Sequence, residues 1–558
     1  MSNSKVYLLV PPAHDWSMPL LALPLLKACI PQDINCRVID VNVDFFRHIW
    51  GRDNLDASKN AIRNALADGQ LYSSVNASIA LEKSILFKQL GPKESVLSRK
   101  VHVVDEWYNS NIVYEFLKSE SETEKVLTQL VEQYHMEDAA AFAISIGVED
   151  QIVPAFILMK VFRSKFPHIP IILGGNIVSR LSKNLQASKL RFYFDTLIVG
   201  EGEKILPDIL SKVCTGSRLS NEIVQIDSTQ TSEYRLCQSI PNFDDMALDS
   251  YLCPISVLPI TINRKCDWAR CDFCAIHACW SGSHRERDLD DVIAEICHYI
   301  EKYNTRFFRI VDENISTRLL GEFADKLLKH GLSIYYEIYT RFHHDFLNIS
   351  FAEKIYRSGC RQIFWGIENI NDDALRFMNK GTTEQIISRT LENTAKVGIL
   401  NYCFILTGVP HVPVETEEQT IAYVIQNKNI HVAAIGSYVV DRLSPMEVNV
   451  AVRKKYHISL YDVGDLTTEI GYLYKESNLS KEVKERTIAY IREIYAKRPD
   501  YALSSLLNEE IRFILTQKYG NRFTEEYLVG INEQELEVIR QEAVARVVEE
   551  RVLRNGEV

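Results

Sequence analysis

No stretch of this sequence offers about 18 consecutive apolar residues free of charge, so no segment reads as a membrane span. The first residues, "MSNSKVYLLVPPAHDW", hold one lysine, a very short apolar run and then two prolines. That is a poor secretory signal and a good first strand. A basic surplus is also missing. The formal net charge is −11, which argues against a broad nucleic-acid surface and leaves room only for a local basic patch. No internal repeat or low-complexity tract stands out. Cysteine is sparse, 12 in 558 residues, and eight of these are scattered singly. The expected compartment is the cytoplasm, where thiols stay reduced, so clustered cysteines read as metal ligands before they read as disulfides. The other four crowd into "RKCDWARCDFCAIHACW", residues 264–280, as Cys266, Cys271, Cys274 and Cys279.

The composition around that cluster is that of an ordinary globular protein, 46% hydrophobic and 25% charged. At about 100–200 residues per domain, the length predicts two to four domains. "KVYLLV" closed by two prolines, "CRVIDVN", "AAAFAISIGVED", "IPIILGGN" and "FDTLIVGEGE" read as strands. Helical stretches such as "PLLALPLLKACI" and "PAFILMKVFRSKF" lie between them, and the alternation predicts a parallel sheet. Residues 43–135 read as a mostly helical, polar insertion with at most one strand, at "KVHVVDEW", and 211–255 as a linker with weak strands. From 256 a second series starts with "VLPITIN", followed by "RFFRIVDEN", "SIYYEIYTRF", "RQIFWGIEN", "NYCFILTGVP" and "HVAAIGSYVV". Six strands with crossover helices predict a full or partial (β/α) barrel. Beyond about 450 the chain reads as helical and charged, ending in an amphipathic helix that is either solvated or packed on a partner. The expected fold class is α/β, with units at 1–225, 226–450 and 451–558.

Two chemistries compete for the cysteines. All four can close a structural zinc site as C-x4-C-x2-C-x4-C. Alternatively three thiolates hold a [4Fe–4S] cluster and leave one iron open. The position favours the cluster. The cysteines follow the first strand of the second series, at its C-terminal end, where barrels place chemistry. Phe273, between the last two close cysteines, suits a shielded redox centre.

The stretch resembles the radical S-adenosylmethionine (SAM) superfamily, whose usual signature is C-x3-C-x-aromatic-C after the first barrel strand. This chain has C-x4-C in the first half, while "CDFC" matches. "RIVDEN", "YEIYTRF", "IFWGIENINDDALRFMNKGTT" and "FILTGVPHVPVET" follow in the family's order and resemble its cobalamin-dependent members, over about 255–450. Upstream, "YLLVPPAHDWSMPLLALPLL", "VIDVN", "AISIGVED", "IILGGN" and "DTLIVGEGEKILPDIL" occur in the order of those members' cobalamin-binding domain. The usual D-x-H-x-x-G ligand motif is absent, so binding without a histidine axial ligand is expected. "SYVVDRLSPMEVNVAVRKKYHISLYDVG" resembles the "L..SP" and "YxI" segments of members that modify ribosomally made peptides.

The resemblance implies an N-terminal Rossmann-like cobalamin-binding domain, a central radical SAM barrel and a helical C-terminal domain. It implies three cofactors: a [4Fe–4S] cluster on Cys266, Cys271 and Cys274, SAM, and cobalamin. Cys279 then reads as an ordinary buried thiol. Contacts to SAM are expected from Phe273, Asp312, Glu313, Asn314, Glu337, Arg341 and Glu368. Contacts to cobalamin are expected from Pro12, His14, Ser145, Gly147, Gly174, Gly175, Gly200, Glu201 and Gly202. The acidic residues read equally as helix caps and the glycines as plain turns. No residue is singled out as a catalytic acid or base. The implied activity is C-methylation of a peptide or natural product, with an external electron donor and with neither nucleic acid nor membrane as partner. A cyclase, oxidase or rearranging enzyme with the same cofactors is the alternative. A zinc-stabilised, nucleotide-binding regulator is a more distant one.

Overall fold

In a computed structural model, residues 5–555 are described except 218, 220–222, 226–238, 277–279 and 281. Six short apolar runs become one parallel sheet: Lys5–Val10, Cys36–Asp40, Ala139–Ser145, Ile171–Gly174, Thr196–Val199 and Ile223–Gln225. Their spatial order is second, first, third, fourth, fifth, sixth. The four inner strands are almost continuously buried, as expected where helices cover both faces, while the edge strands Cys36–Asp40 and Ile223–Gln225 are partly exposed. The order reverses between the first and third strands. In open sheets of this kind, ligands bind at such a switch point, outside the strands' C-terminal ends. The last strand comes from the stretch read as linker.

The second series forms a six-stranded parallel sheet in simple sequential order: Val257–Ile260, Phe307–Ile310, Tyr335–Thr340, Cys360–Glu368, Leu400–Thr407 and Val432–Ser437. The first and last strands do not pair among the described residues, so the barrel is partial. Most crossover helices open on a side chain at the strand-to-helix loop, the exception being Val414–Gln426, which starts after Pro413 without one. Asp288, Ser316, Asn348 and Thr383 accept hydrogen bonds from the first helical turn, satisfying amides that have no partner within the helix.

Two expectations are corrected. The segment 43–135 holds a small antiparallel sheet, Phe87–Gln89, Ser95–Leu97 and Lys100–His102, of which only the last strand is predicted. The C-terminal part is not wholly helical. Strands Ile458–Tyr461 and Glu469–Tyr474 join Val440–Asp441 in another antiparallel sheet. Short strands flanked by charge carry little periodic signal and are stabilised by what they pack on. The helix Glu533–Asn555 is not a free surface helix. Ile539 and Ala543 are buried, and Arg546 donates to the Leu506 carbonyl at 3.0 Å.

One C-terminal helix, Glu509–Tyr519, closes the base of the barrel. Arg309, on the second barrel strand, pairs with Glu337 on the third (2.5 Å) and with Glu510 of this helix (2.8 Å). Arg512 lies over the ring of Tyr402 at 4.9 Å and donates to the Ser504 carbonyl. Buried charges persist only when paired in this way.

Candidate active site

The loop after Val257–Ile260 carries the cysteines, and one carboxylate shapes its entry. Asp312, just past the second barrel strand, accepts from Thr261 Oγ1 (2.5 Å), the Ile262 amide (2.7 Å) and the Asn263 amide (3.1 Å). It is buried, and burial pushes its carboxyl up to about 7 although those three donors pull the other way. Asn314 continues the scaffold. Its carbonyl accepts from Asn263 Nδ2 (2.9 Å), its Oδ1 from the Arg341 amide (2.9 Å), and its Nδ2 donates to Asp267 inside the cysteine loop.

Cys266, Cys271 and Cys274 are half-buried free thiols, and Cys271 and Cys274 both lie within electrostatic reach of Cys266. Burial pushes Cys271 up and Cys274 up to about 12, while Lys380 acts in the opposite direction on both. Arg341 also favours the Cys271 thiolate. Such thiols lose their protons when a metal takes up the thiolates, and a nearby cation favours that form. Cys279 lies outside the described residues.

The additional residue in the first half of the motif has a structural answer. Trp268 lies under the Arg341 guanidinium, 4.1 Å from ring centre to carbon, and its Nε1 donates to the Asn379 carbonyl at 2.9 Å. A Cβ on Gly381 would come within 2.3 Å of the Trp268 ring, so the glycine of "NKG" makes room for it. Lys380 is buried, pairs with Glu368 at 2.7 Å and sits 5.7 Å over the Phe273 ring. A Cβ at Gly366 would meet both charged groups of that pair. Non-glycine residues at this end, among them Lys265, Ala269, Glu368, Asn379 and His411, adopt positive φ (71°, 44°, 61°, 56° and 65°). Sparsely populated backbone of this kind collects at functional sites.

The remaining SAM candidates separate. Glu313 accepts from Trp280 Nε1 at 2.5 Å, and burial raises its carboxyl. Glu337 is not brought to the cysteine loop. It sits three residues before the end of its strand, bonded to Arg309 and Gln362 at the barrel base. Arg341, just past the end of the same strand, is brought to the cysteine loop instead, over the Trp268 ring. Sequence reasoning also missed Asn263, whose Oδ1 is buried without a partner among the described residues, as is Arg341 Nε. Its position three residues before Cys266, at the end of the strand run, was the available signal.

At the switch point of the first sheet, Gln151 ties the two loops together. It donates to the Pro11 carbonyl (2.7 Å) and accepts from the Gly147 amide (2.8 Å). Gly175 has φ +113°, and a Cβ there would come within 2.3 Å of the Ile146 carbonyl oxygen, so only glycine fits. The Gly200 amide donates to Ser179 Oγ at 2.9 Å. Ser145, Gly147, Gly174, Gly200 and Gly202 are partly exposed along this edge, and Val148 beside them is exposed. Pro12 and His14 are buried. His14 lies beside Asp40, burial lowers its pKa, and its Nε2 has no partner among the described residues. Glu201 is buried and spent on ion pairs with Arg264 (2.9 Å) and Arg285, and Glu203 also pairs with Arg264. The "GEGE" turn thus grips the strand leading into the cysteines. A carboxylate at this turn is indistinguishable by sequence from one that meets a ligand.

A three-cysteine loop thus stands at the C-terminal mouth of a partial (β/α) barrel. Residues 260–424 match the profile of the radical SAM superfamily, so this stretch is a radical SAM domain. The whole chain has the fold of the cobalamin-dependent, methyltransferase-like members. It is similar to TsrM of Kitasatospora setae, a radical SAM methyltransferase solved with cobalamin and a [4Fe–4S] cluster bound. The TM-score is 0.58 at 14% identity, covering 98% of this chain and 100% of that one. It is likewise similar to OxsB, a cobalamin-dependent SAM radical enzyme, with TM-score 0.56 at 12% identity over 100% of this chain and 82% of that one. At such identities the likeness is one of fold. By sequence, an uncharacterized methyltransferase of Pyrococcus horikoshii is 22% identical over 287 residues, 48% of this chain. The bacteriochlorophyllide d C-12(1)-methyltransferase of Chlorobaculum tepidum is 27% identical over 177 residues, 31% of this chain. The matches span 60% and 38% of those two relatives' lengths. Among the described residues no helix is long and apolar enough to cross a membrane.

Proposed function

We propose that the protein is a cobalamin-dependent radical SAM C-methyltransferase acting on a carbon centre of a peptide or natural product. One observation carries this reading: the cysteine loop of the barrel is ion-paired to the "GEGE" turn at the C-terminal edge of a second, Rossmann-like sheet. Two ligand-binding edges joined at this point suit two cofactors that act on one substrate.

The residues fit the groups the reading requires. Cys266, Cys271 and Cys274 supply three mutually close thiols with Lys380 and Arg341 beside them, as a cluster with one open iron needs. Asn263 Oδ1 and Arg341 Nε are a buried acceptor and a buried donor without partners among the described residues. They suit the ammonium and carboxylate of the SAM methionyl group. Gly147, Gly174, Gly175 and Gly200 keep the switch-point edge free of side chains, so a flat corrin can approach the backbone. Val148 and, at the barrel mouth, Val311 and Val439 expose apolar surface there. His14 is buried, which supports binding without a histidine axial ligand.

When bound, the cluster and SAM supply one-electron C–S cleavage to an adenosyl radical, and cobalamin supplies a methyl carrier. The chain's own work is positioning. Asp312 and Asn314 hold the cysteine loop at the strand ends, Arg341 presents a fixed cation, and the aromatic and aliphatic rim restricts water. An external electron donor is part of the proposal, since the reaction consumes an electron.

The test is anaerobic reconstitution with iron, sulfide, cobalamin and SAM carrying a deuterated methyl group, with candidate peptides. A product that gains the labelled methyl, alongside 5′-deoxyadenosine and S-adenosylhomocysteine, is expected. An unlabelled product would replace this reading with the cyclase or oxidase alternative. Cys266→Ala, Cys271→Ala and Cys274→Ala are each expected to lose the iron and SAM cleavage, whereas Cys279→Ala keeps both. Metal analysis checks this, and stoichiometric zinc would overturn the cluster.

A further inference from the structure

The "KKYHI" segment, residues 454–458, has no role in the chemistry above, yet it is bonded to the cysteine motif itself. Asp272, the residue between Cys271 and Phe273, is only 5% exposed. Its Oδ2 accepts from Lys455 Nζ at 2.6 Å and from Tyr456 OH at 3.1 Å. Its Oδ1 accepts from Asn379 Nδ2 at 2.7 Å, and its amide donates to the Met378 carbonyl at 3.2 Å. Lys455 and Tyr456 also donate to the Phe377 carbonyl, and both lie against the Phe377 ring, with distances of 4.7 Å in each case. Tyr456 is fully buried in a small hydrophobic cluster that Phe273 joins from the cysteine loop.

This contact continues to the first sheet. The antiparallel sheet that follows Tyr456 meets the N-terminal region through Asp441 with Arg180, the Leu466 amide with the Tyr108 carbonyl (2.9 Å), and Thr467 with Glu149 (3.1 Å). The cysteine loop is therefore held from both ends. Arg264 ties its beginning to Glu201 and Glu203, and Asp272 ties its close pair of cysteines to the end of helix Val450–Lys455, which leads into the small sheet.

We propose that Asp272 and Lys455 are positioning residues for the cluster, and this rests on the reading that Cys266, Cys271 and Cys274 bind one. The carboxylate pins the Cys271–Cys274 turn to the end of helix Val450–Lys455, just before the small sheet. The ammonium balances a negative charge that otherwise stands alone beside the ligands. Charge near an iron–sulfur cluster tunes its reduction potential, because the reduced form carries one more electron.

Opposite signs follow. In the full chain reconstituted anaerobically with iron and sulfide, Lys455→Met is expected to lower the midpoint potential, because it leaves the Asp272 charge uncompensated. Asp272→Asn is expected to raise it. The double variant should return close to the wild-type value. Redox titration followed by electron paramagnetic resonance reads all three. In the iron-free chain, amide hydrogen exchange over 271–274 should be faster in Lys455→Met. A merely structural contact would move both potentials the same way or neither, and either result overturns the proposal. If Asp272→Asn does not fold, Lys455→Met decides alone. Its side chain is 33% exposed, and an unchanged potential in that variant sinks the idea. A wild-type chain that takes up no iron would instead refute the cluster reading beneath it.

Discussion

Asp312 carries a carboxylate that the sequence leaves open to two readings, a ligand contact or a partner within the chain. The acidic stretch "VDEN" at a strand end suggests a group offered to a ligand. In the fold, its carboxylate is consumed by backbone amides of Ile262 and Asn263. Burial raises its carboxyl from the ordinary 3.8 to about 7. An acid whose folded pKa is raised adds stability that is present below about pH 4 and lost as pH climbs through about 7. Denaturant unfolding between pH 4 and 8 should show this loss, and Asp312→Asn should flatten it whatever its cost in absolute stability. Gly381 is a second residue of this kind. Alanine there would strike the Trp268 ring at 2.3 Å and adopt φ +71°. A cost of about 1–3 kcal/mol is expected. It should appear as a lower unfolding midpoint and weaker iron retention in reconstituted protein.

At the scale of elements, the alternation of strands and helices was legible because buried parallel strands are written as apolar runs bounded by turns. All six barrel strands fall where those runs lie. The short antiparallel strands at 87–102 and 458–474 were missed or only half seen, because strands of three to six residues are too short to carry a periodic pattern. Helix Glu509–Tyr519 was legible as a helix but not as the plug of the barrel. Its charged face reads as a solvated one. Arg309→Met tests the plug. It leaves Glu337 and Glu510 buried without their shared cation, and breaking such a pair costs about 3–5 kcal/mol. Chemical denaturation should show this loss, whereas Arg318→Met, on an exposed pair with Glu286 and Glu322, should cost under about 1 kcal/mol.

For the whole molecule, the decisive feature is that the two sheets are joined at the site itself. Arg264 pairs with Glu201 and Glu203, and all three side chains are buried. Arg264→Met strands Glu203 and weakens the hold on Glu201, so a loss of about 3–5 kcal/mol is expected. Thermal unfolding of the iron-free chain measures it without any cofactor. The amino-acid sequence alone determined the two parallel sheets, the place of the cysteines after the first barrel strand and the glycines of the switch-point edge. These are local matters, since an apolar run or a ligand spacing is complete within a few residues. Only the tertiary structure decided that Glu201 grips an arginine, that Glu337 lies at the barrel base, and that Asp272 is held by Lys455 from 183 residues away. The physical reason is that a carboxylate in isolation carries no record of its partner. A cation, an amide and a ligand all satisfy it equally, and the choice among them is made by which distant segments the packed core brings within about 3 Å.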